Sequence, residues 1–243
     1  VYAMLENPKN IASKNDQDNY PHLYSTGTNK RLIDQAQGLV GYWPFDEGSG
    51  TTAYDYSGNN NHGTLTNGPT WTQGKVEKAL SFDGVDDSVI VPFNPNLNVT
   101  NNQFTILMWL NMNTGIGIER HMLGKFSYKS SGYYVFMYSY ENRISFGFHG
   151  GGNVWILKTG DIAYGQWQHV GVTLNGNIMK TYLNGFYYNS RSDVGTVGTN
   201  TLQLTIGGVN PSSVNGNKLI DEVRIYNRAL SDAEIKALYE ATK

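Results

Sequence analysis

The run Trp167-Gln168-His169-Val170-Gly171-Val172-Thr173-Leu174-Asn175-Gly176-Asn177-Ile178-Met179-Lys180-Thr181-Tyr182-Leu183-Asn184-Gly185 carries the plainest pattern in the chain. Successive side chains of an extended strand point to opposite faces, so Gln168, Val170, Val172 and Leu174 fall on one side and Trp167, His169, Gly171 and Thr173 on the other. The first set is predicted to face a core. Asn175-Gly176 and Asn184-Gly185 bracket the next apolar run, Ile178–Leu183. Asn and Gly tolerate the left-handed backbone that a tight two-residue turn needs, so both pairs read as hairpin turns.

The same pattern extends in both directions. Apolar and aromatic runs separated by Gly, Asn and Asp clusters predict further strands over Leu39–Phe45, Lys78–Phe82, Ser88–Val91, Phe104–Met112, His121–Lys125, Tyr133–Ser139, Arg143–His149, Val154–Lys158, Leu202–Ile206 and Lys218–Tyr226, beside Trp167–Leu174 and Ile178–Leu183. Many short strands with no helix between them predict an all-β, two-sheet antiparallel sandwich. The one clear helix is C-terminal: Ser231-Asp232-Ala233-Glu234 is a capping box, followed by Ile235, Leu238 and Tyr239 at helical spacing. Residues 38–243 are read as a single sandwich domain. Residues 1–37 are rich in Asn, Lys, Asp, Tyr and Ser, are interrupted by Asn7-Pro8 and keep no apolar period, so they read as an N-terminal arm, a linker or the stub of an upstream module.

Bulk properties narrow the function. With 18 Lys and Arg against 20 Asp and Glu, the chain has no basic field suited to a phosphate backbone, and nucleic acid is not an expected partner. Cysteine is absent, which removes disulfides, zinc thiolate sites and thiol nucleophiles together. No run approaches the roughly 18 apolar residues of a membrane span. A start at Val1 reads as a trimmed product, and an extracellular or cell-surface location is expected.

Five segments, in order, resemble the laminin-G-like jelly-roll family in its bacterial concanavalin A-like branch. They are Gly38–Gly48 (GLVGYWPFDEG), Asp55–Gly63 (DYSGNNNHG), Lys78–Asp87 (KALSFDGVDD), Trp167–Val170 (WQHV) and Leu219–Leu230 (LIDEVRIYNRAL). The resemblance spans about residues 38–241 and implies two curved sheets face to face, with ligand on the rim loops or the concave face. It also implies a structural calcium ion between the first and last strands, at Asp46 and Asp221, with Asp83-Gly84 supplying a further ligand. The competing reading gives Asp46 and Asp83 to turn hydrogen bonds and Asp221 to an edge interaction. Asp86-Asp87 is a weaker metal candidate, since a solvated carboxylate pair in a turn is common.

A retaining glucanase needs two carboxylates about 5–5.5 Å apart, which alternate positions on one strand supply. The expected central strands Phe104–Met112, Tyr133–Ser139, Arg143–His149, Val154–Lys158 and Ile178–Leu183 contain no Asp or Glu, so no enzyme activity is expected. Sugars instead need flat rings to stack on and planar hydrogen-bond partners. His149, Asn153 and Trp155 around Gly150-Gly151-Gly152, with Tyr134 and Tyr138 of the neighbouring Tyr-rich stretch, form the candidate ligand site. The leading function is a non-catalytic, lectin-like adhesion module binding host glycoprotein glycans or polysaccharide, and the alternative is a protein-interaction or assembly module of the same fold. The polar arm adds the expectation of a pilus-associated adhesin, joined to other filament or surface subunits through residues 1–37.

Overall fold

The computed structural model describes residues 37–113, 119–138, 141–208 and 217–243. The arm expected over 1–37 lies outside the described residues except for Gln37, as does Tyr140 of the Tyr-rich stretch. The strands are β1 (Leu39–Trp43), β2 (Thr52–Ala53), β3 (Gly63–Thr66), β4 (Thr70–Gln73), β5 (Lys78–Phe82), β6 (Ser88–Val91), β7 (Gln103–Met112), β8 (Glu119–Ser127), β9 (Ser131–Tyr138), β10 (Arg143–Gly150), β11 (Asn153–Asp161), β12 (Trp167–Asn175), β13 (Ile178–Leu183), β14 (Phe186–Arg191), β15 (Leu204–Ile206) and β16 (Lys218–Tyr226), followed by helix α1 (Asp232–Thr242). One sheet runs β14-β13-β12-β7-β16-β5-β4, with β1 also pairing with β16; the other runs β11-β10-β9-β8-β15-β6-β3-β2. The architecture is an all-β two-sheet antiparallel sandwich with one short C-terminal helix.

The alternation read in β12 holds, since Val170, Val172 and Leu174 all enter the inter-sheet core. Its hairpin turns one position later than Asn175-Gly176 suggests: Asn175 pairs with Ile178, leaving Gly176 and Asn177 as the turn. The next hairpin turns on Asn184 and Gly185 as expected, both at positive φ, which only Gly and a few polar residues adopt at low cost.

Strand β7 is buried on both faces. Phe104, Ile106, Met108, Leu110 and Met112 enter the inter-sheet core, while Leu107 packs with Tyr182, Tyr226, Leu230, Ile235 and Leu238 beneath α1. A strand covered on both sides has no polar face to show, which is why this segment reads as an almost unbroken apolar run. The helix starts where its capping box places it: Ser231 Oγ accepts the Glu234 N–H, and Glu234 accepts the Ser231 N–H at 2.7 Å.

Strand β16 is the hub of the first sheet. One edge follows β7, and the other is shared by β5, along Lys218–Ile220, and β1, along Val223–Tyr226. At the handover the register shifts between Asp221 and Arg224, and Glu222 takes φ 55°. A bulged non-glycine residue in the left-handed region must be held in place. Tyr42 donates its hydroxyl to Glu222 at 3.0 Å, and Arg224 pairs with Glu222 at 2.7 Å while lying 4.1 Å over the Tyr42 ring.

In the second sheet Tyr133, Val135 and Met137 of β9 and Ile144, Phe146 and Phe148 of β10 face the core. The opposite face carries an aromatic stack. Tyr134 lies 4.7 Å from Phe126, 4.7 Å from Phe136 and 4.8 Å from His149, centroid to centroid. Gly147 stands opposite Tyr134, and a β-carbon there would run into the Tyr134 ring. Its absence lets the ring lie flat across the neighbouring strand.

Candidate functional site

Two hairpin tips of the second sheet lie side by side. Ser127 pairs with Ser131, so Tyr128, Lys129 and Ser130 turn β8 into β9, with Lys129 at φ 58°. Gly150 pairs with Asn153, so Gly151 and Gly152 turn β10 into β11, both at positive φ and both with open space beside them. A clamp joins the tips: the Gly152 N–H donates to the Lys129 carbonyl at 2.9 Å, and the Lys129 N–H donates to His149 Nδ1 at 2.8 Å. The loop through Gly198 is drawn in as well, bonding the His149 carbonyl and the Gly132 N–H. Gly150 permits this approach, because a β-carbon there would meet the Thr196 carbonyl.

Tyr128 crowns the clamp. It is 71% exposed, more than any other large hydrophobic side chain among the described residues. Its ring meets the His149 ring edge-on at 5.8 Å, and Lys129 Nζ lies 5.5 Å from its centroid. The Asn153 amide is exposed at the neighbouring tip, donating to the Gly151 carbonyl.

The five residues expected to form the ligand site are divided. His149 and Asn153 both lie at the hairpin tip, but Asn153 pairs with Gly150 and falls on the opposite side of the sheet from His149, on which Tyr134 stacks. His149 is fully buried and Tyr134 nearly so, which makes them a floor rather than a contact surface. Burial holds the His149 imidazole down to about 4, so the ring is neutral at neutral pH. With Nδ1 accepting, the proton sits on Nε2, which is buried without a hydrogen-bond partner among the described residues. Trp155 pairs with core-facing Phe148 and packs against the inter-sheet core, so strand alternation puts it on the other side of the sheet. Tyr138 sits at the far end of β9, roughly 23 Å of strand from Ser131, against Phe136 and Lys158.

The metal candidates also fall into two places. Asp46 accepts the Lys78 N–H at 2.9 Å, and Asp221 Oδ2 accepts the Lys75 and Val76 N–H groups, each at 2.9 Å. Both therefore capture the loop between β4 and β5. Asp221 is fully buried, its Oδ1 has no hydrogen-bond partner among the described residues, and burial together with the Glu222 charge pushes its carboxyl up to about 9. Asp83 lies beyond the other end of β5, roughly 16 Å of strand away, and cannot share an ion with Asp46. It accepts the Val85 N–H in its own turn. There it joins Asp86 and Asp87, whose carboxylate oxygens and its own all lie within 4.8 Å of one another, an arrangement able to hold a hard cation.

Lys125 gave no signal in the sequence beyond ending a strand. It is buried with no carboxylate partner among the described residues; its ammonium donates to Asn98 Oδ1 and to the carbonyl and Oδ1 of Asn200 at 2.8–3.0 Å, and burial lowers it to about 8. Tyr128 opens a Tyr-rich stretch that continues through Tyr133, Tyr134, Tyr138 and Tyr140, but its exposure follows only from its place in the turn.

Two antiparallel sheets packed face to face define the class of concanavalin A-like sandwiches. The sequence pattern of the concanavalin A-like lectin/glucanases superfamily matches residues 83–236, and the chain belongs to that family. No curated protein matches the sequence. Among solved structures, the binding domain of the paraclostridial mosquitocidal protein 1 is 20% identical with a TM-score of 0.71, over 85% of this chain and 52% of that one. The botulinum neurotoxin serotype D ligand-binding domain, in complex with N-acetylneuraminic acid, is 17% identical with a TM-score of 0.67, over 86% and 51%. Domain 4 of AbnA, an extracellular arabinanase from Geobacillus stearothermophilus, in complex with arabinotriose, is 22% identical with a TM-score of 0.67, over 83% and 98%. The chain spans about half the length of the toxin domains, and at these identities the likeness is one of fold. No described helix is long and apolar enough to cross a membrane.

Proposed function

We propose that this chain is a non-catalytic carbohydrate-binding module of a secreted or surface protein, and that it takes glycan at the clamped hairpin tips through Tyr128 and Lys129. The observation that carries the reading is the exposed Tyr128 ring on a rigid support. A sugar face stacks on such a ring, and an ammonium beside it suits ring hydroxyls. The arabinotriose and N-acetylneuraminic acid complexes of the two structural neighbours support the ligand class. Of the strand carboxylates whose side chains are described, Asp161 pairs with Arg143, and Asp221 and Glu222 are sealed beneath the first sheet. Screening the full chain on a glycan array, then titrating the best glycan against Tyr128→Ala, tests the site. Affinity should fall about tenfold or more, near 1.4 kcal/mol, with an unchanged melting temperature. Undiminished binding by the variant overturns the site. A protein partner retained without sugar competition, with no glycan bound, establishes the assembly-module reading instead.

A structural calcium ion at Asp46 and Asp221 belongs to the same reading. The buried, unpartnered Oδ1 of Asp221 is the oxygen such an ion would take, and its positive charge would favour the ionised carboxylate. EDTA should then lower the melting temperature, because a ligand bound only by the native state stabilises it by mass action. Asp221→Asn should abolish the difference. An unchanged melting curve, with no calcium found by metal analysis, means that Asp221 carries a proton in place of the ion.

A further inference from the structure

Strand β14 ends the first sheet and presents three consecutive rings to solvent: Phe186 is 56% exposed, Tyr187 49% and Tyr188 48%. The register shift between Thr181 and Tyr182 breaks strict alternation in this hairpin. Tyr187 meets the Tyr182 ring edge-on at 6.4 Å on the helix-covered face, whereas Tyr188 packs toward Gly160. Cations flank the rings. Lys236 of α1 lies 5.5 Å from the Phe186 centroid, and Lys180 of β13 lies 5.6 Å from that of Tyr187.

The charges around this surface do not cancel. Asp232 is engaged by Lys180 at 3.2 Å and by the Tyr182 hydroxyl at 2.8 Å, and Asp193 is taken by Arg191 at 2.6 Å. Lys236 makes no ion pair among the described residues, so one ammonium beside the rings is uncompensated. The strand, FYYNSR, offers rings, hydroxyls and an amide but no aliphatic side chain. That lining matches a hydrated sugar ring better than an apolar peptide face.

We infer that the surface between β14 and α1 is a second binding site, for an acidic saccharide, whose ring stacks on Phe186 or Tyr187 while its carboxylate meets Lys236. It lies on the first sheet, away from the hairpin tips of the second, and stands whether or not Tyr128 binds glycan. The test uses the full chain with polygalacturonate and polysialic acid, each against its carboxyl-reduced counterpart. At least one acidic polymer should bind, more weakly at raised salt, and its neutral counterpart should bind at least about tenfold more weakly. Lys236→Gln and Tyr187→Ala should each lower that affinity at least about fivefold at an unchanged melting temperature, while Tyr128→Ala leaves it intact. Binding of neither polymer, equal binding of the reduced polymer, or indifference of both variants overturns the proposal. Loss of binding in Tyr128→Ala overturns it too, by moving the acidic ligand to the hairpin tips.

Discussion

Only a neutral imidazole fits His149, because Nδ1 must keep its lone pair to receive the Lys129 N–H and the ring is packed between Phe126 and Tyr134. The consequence is a dependence on acid. Above the ordinary histidine value of about 6.5, neither the folded nor the unfolded chain holds the proton and the group contributes nothing. Between about 6.5 and the folded value of about 4, the unfolded chain binds a proton that the folded one refuses, so stability falls as pH falls. His169, buried against Trp109 and held down to about 3, acts with the same sign over a slightly wider range. Melting temperature measured from pH 7 to pH 4 should decline, and His149→Gln should decline less steeply than the parent. An identical slope in the variant would remove His149 from the account.

Among the elements, those whose apolar pattern matches their burial were legible in advance. Each expected strand is present, because alternation in β12 and the unbroken run of β7 report directly how many faces are covered. The strands the sequence did not reveal are β2, β3, β4 and β14. The first three are short, with side chains such as Thr52, Thr64, Thr70 and Gln73 that no core selects. Strand β14 is exposed almost throughout, so nothing but its pairing with β13 makes it a strand. The candidate site divided for a related reason. Proximity in sequence put Trp155 beside His149, but Trp155 pairs with Phe148, and successive residues of a strand, here Phe148 and His149, lie on opposite sides of a sheet. Exposure of Tyr128 depends on a three-residue turn whose length is set by the register of β8 and β9, and no local signal announces it.

At the scale of the molecule, the sandwich leaves two outer surfaces with different covers. The first sheet is roofed by α1, and the second carries an aromatic stack that ends in the exposed Tyr128. The hub strand β16 governs how such an object can assemble. Its partners are β7, β5 and β1, and its pairing of Tyr226 with Leu39 joins segments from opposite ends of the sandwich sequence. Contacts between such distant segments carry the loop-closure entropy of everything between them, so they form late. The meander β8 to β11 pairs only sequence neighbours and can form early. Pulse-labelled hydrogen exchange during refolding should find amides of β8–β11 protected before those of β16 and β1, and simultaneous protection would contradict this order. During synthesis the same topology leaves the edges of β7, β5 and β1 unpaired until Lys218–Tyr226 has emerged. Over that interval the nascent chain presents bare strand edges to its neighbours, a window for aggregation that closes only when its last strand slots in.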